Sequence, residues 1–241
     1  MLAVVLPALL ELADRSVVGT RGVREEVRTA RTSGYVAAVG LLRRVGYRDL
    51  AWSLLQQARM ADPGGDRVLA EEVRLLTSMG LADTAAVRSE QQRDTPRTVE
   101  LLCAAGLAHA AAGQRRPAQD CLAEASACVS NEAEAAELLV AQAGCAMEFG
   151  DLEEILVLQD ATGGMPAGRR ADLLLLGAAA WARNARADRA VERLAAAEAV
   201  APLYVRLSPL ARELLHALKG RARDTASTRV LARTARRFGV R

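Results

Sequence analysis

The chain is poor in the residues on which recognition and catalysis most often rest. Aromatic side chains make up 3 % of its 241 residues, which argues against modules that stack nucleic-acid bases on exposed rings. Two histidines, His109 and His216, and four cysteines, Cys103, Cys121, Cys128 and Cys145, show no C-x-x-C and no zinc-ligand spacing. The cysteines fall at apolar helical positions, where a thiol packs as a small hydrophobe. A reduced, cytoplasmic setting is therefore expected, with no metal. Apolar runs stop short of the roughly eighteen residues that a membrane span needs. The apolar start, residues 1–13, lacks a basic leader and runs into Glu11 and Asp14. There is no H-E-x-x-H, G-x-S-x-G or G-x-G-x-x-G. The glycine loop at residues 161–168 lacks a preceding strand and a G-K-[ST], so it reads as a linker and not a phosphate cradle. No nucleophile, base and orienting group can be assembled. A binding protein is expected, not an enzyme, with no cofactor and no membrane association.

What the chain has is alanine, leucine and arginine. Hydrophobic residues are 51 % and charged residues 25 %, the balance of packed amphipathic helices. Lys219 is the single lysine among 32 basic residues. The net charge of +3 hides an asymmetry, since residues 201–241 hold ten Arg/Lys against two Asp/Glu, a net of +8, and leave −5 for the rest. Arg229, Arg233, Arg236 and Arg237 are the candidates for contact with nucleic acid or an acidic partner. The competing reading is that these arginines sit on a solvated face or complement a helix C-terminus.

The chain is organised around residues 101–125, LLCAAGLAHAAAGQRRPAQDCLAEA, which read as a helix, a turn at Gly113 and a second helix. Gly106 and Ala118 let the two helices approach, while Leu102 and Leu122 fill the space beside them. Four further copies follow the same register. Two are clear, at residues 35–63 and 174–202, and two weaker ones lie around Gly80 and Gly150. The matching residues Ala51, Ala85, Ala118, Ile155 and Ala190 are 34, 33, 37 and 35 apart. This spacing and pattern resemble the tetratricopeptide repeat. The fold expected is an all-α, tetratricopeptide-like helix-pair solenoid of about five pairs plus a C-terminal helical cap. Its divisions are an N-terminal helix and loop (1–22), the repeats (23–202) and a basic cap (203–241).

Helices are expected at 23–45, 47–61, 67–79, 81–92, 96–112, 115–127, 132–149, 152–160, 169–184 and 187–200. Asp66, Thr95 and Asn131 are the N-caps expected among them. Pro202 should stop the last repeat, and segments 208–218 and 226–238 should cover the open end. His109 and His216 are expected in core or cap packing.

The first helices of the pairs should line a concave face. The lining residues would be Ala70, Arg74, Cys103, Leu107, Val140, Gly144, Met147, Leu175 and Ala179. In peptide-clamping members of the tetratricopeptide family this face carries basic and amide residues that grip a carboxylate. Here Arg74 alone matches. Such a lining suits an apolar small molecule or an amphipathic helix. The alternative is that curvature buries this stripe against neighbouring repeats.

RRADLLLLGAAAWARNARADRAVERLAAAEAVAPLYVRLSPLARELLHAL, followed by TRVLARTARRFGV, resembles the tail of actinobacterial helix-turn-helix transcriptional regulators. The resemblance is densest at residues 169–172, 197–202, 209–215 and 231–240. It implies an effector-sensing, protein-binding and dimerising region, and a homodimer is compatible with it. The family's DNA-binding domain has no counterpart in the residues before 23, so direct DNA binding is not expected of this chain. The alternative is a stand-alone adaptor joining protein partners.

Overall fold

The computed structural model describes residues 21–91, 97–159, 164–221 and 224–239. The expected helix at 1–13, Thr95 as a cap and residues 161–163 of the glycine loop lie outside them. Among the described residues there are thirteen helices and no strand. They are α1 (Arg21–Val45), α2 (Arg48–Ala61), α3 (Asp66–Ser78), α4 (Ala82–Glu90), α5 (Val99–Ala111), α6 (Arg115–Cys128) and α7 (Glu132–Phe149). The remainder are α8 (Leu152–Leu158), α9 (Ala167–Arg183), α10 (Ala187–Val200), α11 (Pro202–Leu207), α12 (Pro209–Leu218) and α13 (Thr225–Arg237).

The first ten helices form five antiparallel pairs, and one turn geometry makes all five. At each turn the backbone N–H that opens the second helix reaches back to a carbonyl five residues earlier. These bonds are Tyr47 to Leu42, Leu81 to Leu76, Gln114 to His109, Asp151 to Ala146 and Arg186 to Trp181, at 2.8–3.0 Å. This is the C-terminal bond of a Schellman motif, and it needs a left-handed residue just before the donor. Gly46, Gly80, Gly113 and Gly150 fill that position with φ between 76° and 87°. The fifth turn uses Ala185 at φ 57°, the single non-glycine residue with positive φ among the described residues.

The residues spaced 33–37 apart in the sequence coincide in burial. Ala51, Ala85, Ala118, Ile155 and Ala190 lie one per second helix, and each is fully buried. Within the third pair, a Cβ on Gly106 would stand 3.3 Å from Leu122 Cγ and Cδ2 and 3.5 Å from the Ala118 carbonyl oxygen. The absent side chain therefore sets how closely α5 and α6 approach. The first helices also pack on one another in chain order, α1 on α3, α3 on α5, α5 on α7 and α7 on α9. Leu75, Leu101, Leu102, Leu173 and Leu175 are fully buried along this inner layer.

At the C-terminal end, α12 packs on α9 and α13 on α10. Leu214, Leu215, Leu218 and Leu231 are buried there with the fifth pair. Ser208 caps α12 and Asp224 caps α13 through their side chains.

Several local expectations are corrected. Gly22 lies within α1 and not in a loop. Thr98 caps α5, its hydroxyl accepting from the Leu101 N–H at 3.3 Å. Asp66 is the first residue of α3, and its carboxylate accepts from the Thr98 N–H at 2.8 Å, tying the second pair to the third. Pro202 starts α11, because proline's fixed φ and missing N–H suit a first helical turn. Asn131 caps α7 as expected.

Candidate functional site

The apolar lining expected for a groove is packed into the core. Ala70, Cys103 and Leu175 are at most 1 % exposed, and Met147 and Ala179 are 8 % and 7 % exposed. Val140 is half-buried against the C-terminal core. Leu107 and Gly144 meet each other, since a Cβ on Gly144 would stand 2.6 Å from Leu107 Cδ2. The inner helices approach so closely that this stripe becomes their own interface. Arg74, its side chain 11 % exposed, is the charged member of that set and lines a cavity.

What the inner helices present is charge. Arg74 of α3 donates from Nη1 to Glu71 Oε1 at 2.7 Å and to Glu100 Oε1 of α5 at 2.9 Å. Its Nη2 donates to Glu137 Oε1 of α7 at 2.9 Å. One guanidinium thus joins three consecutive inner helices. Its pKa is raised: burial alone would lower it, but the charges of Glu71, Glu137 and Glu100 prevail. Glu71 shows the mirror image. Burial pushes its carboxyl up, while the charges of Arg43 and Arg74 and their hydrogen bonds draw it below 4.5.

The same face is closed by a contact between the two ends of the array. Arg44, on the last turn of α1, donates to both carboxylate oxygens of Asp172 on α9 at 3.1 and 3.4 Å, across 128 residues of sequence. Its guanidinium stacks on the Tyr204 ring of α11, 3.7 Å from the centroid. The Tyr204 hydroxyl donates to Asp172 as well. Burial, with the Asp172 charge and hydrogen bond, raises the phenol's pKa. Arg169 pairs with Glu137 and lies 3.7 Å from Asp172. Bidentate geometry and a stacked ring make Arg44 the kind of ion pair that survives partial solvation.

Two cavities open on either side of Arg169 and Pro166. One, of about 380 Å³, is walled by Arg43, Arg44, Glu71, Arg74, Arg169 and Tyr204, among others. The other, of about 420 Å³, is walled by Arg67, Glu100, Glu134, Glu137, Arg169 and Asn131 among its lining residues. Sequence patterning missed this site. The signal available was the pairing of opposite charges three apart, Glu71 with Arg74 and Arg169 with Asp172, next to the apolar stripe.

The basic tail divides. Arg229, Arg233, Arg236 and Arg237 are all exposed on α13, but Arg237 also lies 3.4 Å, and Arg206 3.6 Å, from the buried carboxylate of Glu198. Thr234 Oγ1 donates to the same carboxylate at 3.1 Å. Arg237 thus helps dock α13 on α10. His109 is buried with Nδ1 2.7 Å from Gln114 Oε1, while His216 is exposed on α12 and not packed as expected. Cys103, Cys121 and Cys145 are buried and Cys128 is exposed, and none of the four is in a disulfide. Among the described residues no cluster of three or more His, Cys, Asp or Glu could hold a metal ion. No helix there is long and apolar enough to cross a membrane.

No family model, curated protein or solved structure matches the chain significantly.

Proposed function

We propose that the chain is the effector-sensing and partner-binding region of a bacterial transcriptional regulator, built as a tetratricopeptide-like solenoid. The observation that carries this reading is the charged inner cavity closed by Arg44 onto Asp172 and Tyr204. A ligand that competes for these groups would shift the array between a closed and an open curvature, the two-state element that sensing needs. The charged side chains in the cavity walls favour a charged ligand over the apolar effector that the expected lining residues suggested. The similarity of residues 169–240 to regulator tails supplies the regulatory context.

Native mass spectrometry of the purified chain, before and after denaturation, tests this. A small molecule retained gently, released on denaturation and lost in Arg44→Gln supports sensing in this cavity. A molecule that Arg44→Gln retains moves the site elsewhere.

A second reading, a stand-alone adaptor, draws on exposed apolar residues at the turn ends of the first two pairs. Tyr47 is 61 %, Leu50 56 % and Leu81 44 % exposed. A protein partner lost on Tyr47→Glu with Leu81→Glu, with nothing bound in the cavity, would favour it.

A further inference from the structure

We propose that the two cavities flanking Arg169 together accept one small zwitterion of the ω-amino carboxylate class, its anionic head among the arginines and its ammonium among the glutamates. This deepens the sensing reading above and rests on it. The first cavity is lined by four arginines, Arg43, Arg44, Arg74 and Arg169, against a single carboxylate residue, Glu71. Three of these guanidiniums are committed to protein carboxylates through their terminal nitrogens. Arg43 is different. Its one partner among the described residues is Glu71 Oε2, reached through Nε at 3.4 Å. Its two terminal nitrogens are free to grip an anion. Gly40 and Leu41, one turn or less before it, lie in the same wall.

The second cavity has the opposite balance, Glu100, Glu134 and Glu137 against Arg67 and Arg169. Glu134 Oε2 accepts from the Ser130 N–H and hydroxyl at 2.8 and 2.9 Å. These bonds hold the carboxyl below its ordinary range, the backbone N–H contributing most. Glu134 is therefore ionised at neutral pH, with a side-chain hydrogen bond from Asn131 adding to the effect, and it lines this cavity. Pro166 and Arg169 belong to both linings, so the cavities adjoin. A simple anion would face three glutamates next door, and a simple cation four guanidiniums. A molecule with both charges meets its complement at each end.

The test is calorimetric titration of the full chain with the ω-amino carboxylates from β-alanine to 8-aminooctanoate. Hexanoate and hexylamine serve as single-charge controls. One chain length is expected to bind about tenfold more tightly than both controls. Arg43→Gln and Glu134→Gln are each expected to weaken it by about tenfold, while Arg43→Lys keeps most of the affinity. The lysine variant also separates lost charge from lost folding. Overturning results are a series no better than its controls, or affinity equal in all variants. If native mass spectrometry instead shows a bound molecule without both charges, the ligand class falls and the sensing reading stands. If no ligand of any kind occupies the cavity, both fall.

Discussion

Arg74 is the position where charge and packing can be weighed most directly. Replacing it with methionine keeps the aliphatic stem and removes the charge that Glu71, Glu100 and Glu137 share. Glu71 is 7 % exposed and Glu137 14 %, so neither carboxylate can recover full hydration. Deleting one partner of a buried ion pair costs about 3–5 kcal/mol. Glu71 retains Arg43, Glu137 retains Arg169 and Glu100 lies 3.7 Å from Arg67, which lowers the expectation to about 2–4 kcal/mol. The pH dependence has a definite sign. In the wild type the Glu71 pKa is depressed below 4.5, so its contribution is complete above that value and is lost as pH falls through the folded value. In Arg74→Met the burial that now opposes ionisation gains ground, the folded pKa rises, and protonation relieves the variant as pH falls. The gap between the proteins should therefore narrow from about pH 7 to about pH 5. Urea unfolding followed by circular dichroism across that range measures it. A loss below about 1 kcal/mol at neutral pH, or a gap that widens on acidification, refutes the reasoning.

Three further outcomes are expected. Gly106→Val should destabilise the chain by about 1–3 kcal/mol, because the added methyls enter the Leu122 contact; an unchanged urea midpoint would show that α5 and α6 can separate freely. Ala185→Gly should stabilise it by about 0.5–1 kcal/mol by relieving a left-handed alanine, and a lower melting temperature would contradict that turn geometry. Burial, the first cause in each case, pushes the Cys103 and Cys145 thiols up to about 12, and Cys121 is buried too. A thiol-exchange reagent at neutral pH should thus titrate Cys128 quickly and the other three after unfolding, and a second fast thiol would count against this packing.

The helix pairs and their turns were legible because they are local. The turn glycines and the small residues five positions later are needed by backbone geometry and by close helix approach, and both leave a mark on the sequence at a fixed interval. Gly46 with Ala51 and Gly113 with Ala118 are read correctly for that reason. The fifth turn hides its left-handed position behind Ala185. The helix α11 was hidden because proline marks the start of one helix as well as the end of another. The candidate site was harder to read. An apolar stripe on the first helices says that something packs there, and Leu107 against Gly144 shows that the partner is the next inner helix. The residues left facing the cavity come from helices far apart in sequence. Nothing near Arg44 indicates Asp172, and only the packing of the helices between them brings the two together.

Arg44 holds the first pair to the fifth across the cavity proposed to take a ligand. Paired spin labels at Met60 on α2, 78 % exposed, and at Glu192 on α10, whose side chain is 58 % exposed, would read the separation of those pairs. The labels belong in a Cys128→Ser background, since the other three thiols are buried. The wild type should give one narrow distance distribution, and Arg44→Gln should broaden it and move it to longer separation. Identical distributions in the two proteins would mean that Arg44 does not hold the array closed, and the proposed two-state element would be contradicted.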